Sequence, residues 1–87
     1  MELTKDADKM ICVLYKSFLQ ERKSGHSKAE ARRFSKDELK SFSDFESWHP
    51  QDITDTLLEI GRKGLVKIYI GGDFELSDPG IIIWKSF

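Results

Sequence analysis

Asp52, Asp55 and Glu59 are spaced three and four residues apart, which on a helix stacks their carboxylates along one face. Two chemistries use such a pattern. Neighbouring carboxylates with separated proton affinities do general acid–base work, and an anionic helix face meets a cationic partner. The second suits this chain better, because nothing around the carboxylates completes a catalytic set. There is no Ser–His–acid combination, phosphate-cradling loop or nucleotide fingerprint. His26 and His49 have no ligand partners at metal spacing. The single cysteine, Cys12, falls in an apolar helical run and reads as a small core hydrophobe. The expectation is a protein that is not an enzyme and uses no metal, cofactor or small-molecule substrate.

A basic segment opposes the acidic one. Residues 20–40 carry seven Lys and Arg against four Asp and Glu, whereas residues 41–60 carry none against five. The formal net charge of −1 conceals this division. If Arg22, Lys23, Lys28, Arg32, Arg33, Lys36 and Lys40 share a face they can hold phosphates, with Arg62 and Lys63 joining from the side. The bland alternative is a solvated face that keeps a small domain soluble. The chain contains no asparagine, so Gln51 and Arg62 are the base readers open to it.

Eighty-seven residues, 39% of them hydrophobic and 33% charged, bound one small globular domain over residues 1–87. The polar start "MELTKDADK" lacks a secretory-signal pattern, no apolar run approaches the ~20 residues of a membrane span, and no disulfide framework exists. A cytoplasmic protein without membrane contact is expected.

The elements that must position these charges are legible to different degrees. Ala7, Met10, Ile11, Leu14, Tyr15, Phe18 and Leu19 recur at spacings of three and four, predicting a helix from Thr4 to Lys23 that stops at Gly25. "SKAE", "SKDE" and "SDFE" all match the capping-box pattern, at Ser27, Ser35 and Ser43. Three helix starts within seventeen residues are too many, so the reading is a short helical turn at 28–33 and a short helix at 36–42. Phe34, Leu39, Phe42 and Phe45 are their core-facing residues. Pro50 opens the next helix, carried to Lys63, with Ile53, Leu57 and Ile60 on its apolar face, Leu58 at the border and Gly61 on the buried side. Gly64 ends it. "LVKIYI" and "FELS", joined by Gly71-Gly72-Asp73, predict an antiparallel hairpin over 65–76. Ser77, Asp78 and Pro79 then suit a helix start, although Ile81 to Ile83 also favour a strand. Trp84 and Phe87 either pack on the first helix or form a patch that a second subunit covers.

This order of elements resembles the winged helix-turn-helix superfamily across nearly the whole chain. "DITDTLLEIGRKGLVKIYI" is similar to that superfamily's third helix running into the first wing strand. "FELSDPGIII" is similar to the second wing strand and the entry to a final helix, with Ser77 where threonine is usual. The resemblance implies an α+β fold: a bundle of three to four helices, a C-terminal β-hairpin wing and a final short helix. In DNA-binding members the third helix enters the major groove, but here its outer face carries Asp52, Asp55 and Glu59, and carboxylates release no counterions from DNA. Gly61-Arg62-Lys63-Gly64 also matches the Gly-x-x-Gly loop of KH domains, yet that loop joins two helices and a strand follows here. The leading expectation is therefore a regulatory or adaptor module binding a protein partner, with a basic surface, through Asp52, Asp55 and Glu59. Trp84 and Phe87 are candidates for further contact or self-association. The alternative is a DNA-binding regulator using Gln51, Arg62, Lys63, Arg22, Lys28, Arg32, Arg33 and Lys36.

Overall fold

The computed structural model describes residues 3–79 and residue 81. Helix α1, Lys5–Lys23, begins at Thr4, whose hydroxyl accepts from the Ala7 N–H (3.2 Å), and it buries Ala7, Met10, Ile11, Leu14 and Phe18. Asp6 and Asp8 in its first turn and Arg22 and Lys23 in its last complement the helix dipole. The apolar stripe is narrower than its spacing suggests. Leu19 is 40% exposed, and Tyr15 and Cys12 are half-buried, because α4 and α2 cover only part of the helix circumference.

Two of the three capping-box matches start α-helices. Ser27 and Glu30 form a reciprocal capping box for α2, Lys28–Ala31, and Ser35 accepts from the Glu38 N–H at the start of α3, Lys36–Ser41. The third match, Ser43–Phe45, is a 3-10 turn without a side-chain cap. Between α2 and α3 the sequence reading fails. Arg32 still closes the turn, its N–H donating to the Lys28 carbonyl, but residue 33 does not continue it; Arg33–Phe34 is a strand, β1. Its cause is tertiary: Phe34 is 2% exposed and stacks on Phe74 at 5.5 Å, while Ser35 must be extended to cap α3.

Helix α4, Pro50–Arg62, follows His49, which is extended as its place before proline requires and whose Nδ1 accepts from the Gln51 N–H (3.2 Å). Gly64, at φ 76°, terminates the helix. Strands β2, Val66–Ile68, and β3, Phe74–Leu76, then form the antiparallel hairpin, with Val66 opposite Leu76 and Ile68 opposite Phe74. The turn is wider than two residues: Tyr69 exchanges bonds with Gly72 and Asp73, and Gly71 and Gly72 both take φ 101°. β1 adds to the free side of β3, giving a three-stranded antiparallel sheet ordered β1-β3-β2. The fold is α+β: among the described residues, the four α-helices α1 to α4 and one sheet surround a core shared by α1, α4 and the inner sheet face. Past β3, Asp78, Pro79 and Ile81 are helical, and the Ile81 N–H donates to the Ser77 carbonyl (3.1 Å). Among the described residues no helix is long and apolar enough to cross a membrane.

Candidate interaction surface

α4 turns Ile53, Thr56, Leu57 and Ile60 into the core, and Thr56 hides its hydroxyl by donating to the Asp52 carbonyl (2.7 Å). At 100° per residue the direction opposite that buried face is held by Gln51, Asp55, Leu58 and Arg62, all exposed. Asp52 and Glu59 fall instead on the flank next to α1. There Glu59 accepts from the Thr4 hydroxyl (2.9 Å) and, at 3.4 Å, from the Thr4 N–H, tying α4 to the start of α1. Lys63 stands 3.9 Å from the same carboxylate. The three carboxylates therefore do not form one outward face. Asp55 lies on the outward stripe, where Gln51 donates to its Oδ1 (2.9 Å), and Asp52 is exposed beside it.

The stripe continues onto the hairpin. Ile68 lies over Gly61, so close that a Cβ there would meet its Cδ1 at 2.9 Å. Leu58 is 42% exposed one turn before Gly61, Ile68 is 39% exposed, and Ile70 at the hairpin tip is wholly exposed. These residues were absent from the sequence-level candidates. The available signal was the border position of Leu58 on the helical wheel and the alternation Val66, Ile68, Ile70, of which the sheet buries only the first.

The basic segment does not converge on one face. Arg22 donates to the His26 carbonyl (3.1 Å) at the end of α1, and Lys28 pairs with Asp78 (3.6 Å). Arg32 is half-buried, donating from Nε to the Leu76 carbonyl (2.8 Å) and from Nη2 to Asp78 (2.5 Å). That contact and the nearby Lys28 hold the Asp78 carboxyl below its ordinary value. On the outer sheet face Arg33 and Lys67 flank Glu75, and both lie over the Tyr69 ring, at 5.0 and 5.3 Å. The Tyr69 hydroxyl donates to Glu75 (2.6 Å), which raises its proton affinity. Lys36 is exposed where α3 passes the Gly72 turn. Trp84 and Phe87 lie outside the described residues.

No other constellation competes. His26 sits 3.0 Å from Glu21 and 3.8 Å from Glu30, and the described residues hold no group of three or more metal-ligating side chains. A shallow groove of about 200 Å³ between α1 and the end of α3 is lined by Val13, Lys16, Ser17, Gln20, Phe42 and Asp44. Compared with known proteins, the chain matches no family model, no curated protein and no solved structure.

Proposed function

We propose that this chain is a non-catalytic regulatory or adaptor domain of the winged-helix kind, which binds a protein partner through the outward stripe of α4 and the adjoining hairpin. The element order, the hairpin leaving α4 directly at Gly64 and the sheet order β1-β3-β2 support the winged-helix reading. One observation carries the choice of partner class. Three exposed large hydrophobic residues, Leu58 on α4 and Ile68 and Ile70 on the adjoining hairpin, belong to the elements that a DNA-reading member would turn toward the groove. Exposed aliphatic side chains favour a protein surface, whereas a groove bordered by phosphates rewards cations. Lys28 and Arg32 are committed to Asp78 and Lys63 stands beside Glu59, which leaves Arg62 on α4 and Arg33, Lys36 and Lys67 about the hairpin as the exposed cations there.

The test is a titration against random-sequence duplex DNA at several salt concentrations. We expect affinity no tighter than the ~10⁻⁴ to 10⁻⁶ M of non-specific binding, with a steep loss as salt rises. Replacing Arg33, Lys36 and Arg62 together by alanine is expected to flatten the salt dependence by about two to three phosphate equivalents. Tight, sequence-selective binding that survives the triple replacement would overturn the protein-partner reading.

A further inference from the structure

We infer that the protein partner of the α4 stripe is a second copy of this chain, related by a twofold axis passing beside Leu58. The inference rests on the assignment of this surface to protein binding and adds the identity of the occupant. A twofold interface must be complementary to itself, each residue meeting its counterpart's neighbour in both directions. The α4 stripe has that property.

Leu58 stands at its centre, with Asp55 three residues before it and Arg62 four residues after, all on one face. When two such helices cross antiparallel beside Leu58, each Asp55 comes opposite the other copy's Arg62, and the two leucines pack on each other. The helix dipoles oppose as well, acidic first turn against basic last turn. Asp55 retains a carboxylate oxygen for this contact, because Gln51 occupies only Oδ1. Arg62 is exposed and has no ion pair among the described residues. Glu59, the carboxylate that would spoil the match by sitting beside the axis, is turned away to Thr4. Ile68, lying over Gly61, widens the apolar centre on the hairpin side.

The contact is small. Thirteen residues of helix run about 20 Å, and with the hairpin beside them each copy offers on the order of 300–400 Å². That is about half the ~800 Å² per partner of a stable interface, so the dimer is weak, with a dissociation constant of order 100 µM. Leu58 supplies affinity, and the exposed Asp55–Arg62 pairs set register and orientation.

Sedimentation velocity from about 10 µM to 1 mM, with thermal melts to check folding, tests this through charge exchange. The wild-type protein should dimerise across this range. Asp55→Arg alone places four cations around the axis and Arg62→Asp alone four carboxylates, so each should weaken self-association about tenfold or more. Mixing these two single variants should restore a dimer, now composed of one of each. The double variant Asp55→Arg, Arg62→Asp should dimerise within about threefold of wild type. A wild-type chain still monomeric at the highest concentration overturns the inference, as does a dimer indifferent to both single reversals. Neither result touches the protein-partner assignment, which the duplex-DNA titration decides separately.

Discussion

Arg32 is the residue whose environment most changes its meaning. In the sequence it belongs to a basic run; in the fold it reaches across from the end of α2 to the Leu76 carbonyl and to Asp78, fastening the chain beyond β3 to α2. Removing it leaves a half-buried carbonyl without its donor and Asp78 without its closest cation. Arg32→Ala is therefore expected to cost about 1–2 kcal/mol in urea unfolding, more than replacement of an exposed lysine such as Lys36. Asp78 gives this latch a pH signature. Its carboxyl titrates below the ordinary 3.8 in the folded protein, through its bond to Arg32. A depressed folded-state pKa means the stabilisation is complete above the unfolded value and is lost as pH falls through the folded one. The melting-temperature gap between wild type and Asp78→Asn should thus be full at neutral pH and close below about pH 4. A gap that stays constant into strong acid would show that the charge of Asp78 does not matter. Asp52 illustrates the opposite case, a carboxylate at ease in the first turn of α4. Asp52→Lys with Asp55→Lys should leave the fold intact but lower stability by about 0.3–1 kcal/mol, because a cation replaces an anion at the positive end of the dipole.

At the scale of elements, the two glycines that bracket the end of α4 make opposite demands. Gly64 holds φ 76° with open space around its α-carbon, so Gly64→Ala should cost about 1 kcal/mol through backbone strain alone. Gly61 is helical, and an added methyl would clash only with the Ile68 Cδ1, the far end of a side chain that can swing toward solvent, and make ordinary contact with Val66. Gly61→Ala should be neutral or stabilising by up to about 1 kcal/mol, since alanine favours a helix interior. Chemical denaturation of the two variants side by side checks both, and a larger loss at position 61 would mean that Ile68 is held fast. These glycines also mark what the sequence made legible. α1, α4 and the hairpin announce themselves by periodicity and punctuation: Thr4, Pro50, Gly64 and Gly71-Gly72. β1 does not, because two residues carry no period, and Arg33 and Phe34 become a strand only by pairing with Glu75 and Phe74, some forty residues away. The acidic face failed for a related reason. A helical wheel orders Asp52, Asp55 and Glu59 around their own axis but knows nothing of Thr4, whose hydroxyl draws Glu59 toward α1.

Across the whole molecule, a chain of aromatic rings joins the sheet to the helices. Phe74 stacks on Phe34 (5.5 Å), Phe34 meets Phe42 edge-on (6.5 Å), Phe42 meets Phe45 (6.4 Å), and Phe45 meets Trp48 (4.9 Å) just before α4. Lys9 of α1 lies over Trp48 at 5.9 Å, which closes the path back to the first helix. The route matters because α3 is a single turn and a half and the sheet strands are two or three residues long, too short to stand by their own hydrogen bonds. An 87-residue domain holds roughly 4–13 kcal/mol in total, so a single break in this path is a large share of its stability. Phe34 is the sensitive point. It is 2% exposed, joins the sheet to the rest of the path and supplies the only buried side chain of β1. Phe34→Ala should cost about 3–5 kcal/mol, removing both its transfer free energy and the stack with Phe74. Phe42, the next ring of the path, is only half-buried, and Phe42→Ala should cost clearly less, about 1–2 kcal/mol. Urea unfolding of both variants measures the difference, and hydrogen exchange at the hairpin locates it. Losing Phe34 should expose amides of β3 and β2 while α1 stays protected, because α1 packs chiefly on α4 and α2. Equal losses at positions 34 and 42, or exchange rising evenly over α1 and the hairpin, would mean that the domain unfolds as one unit and that the aromatic path is no separate seam.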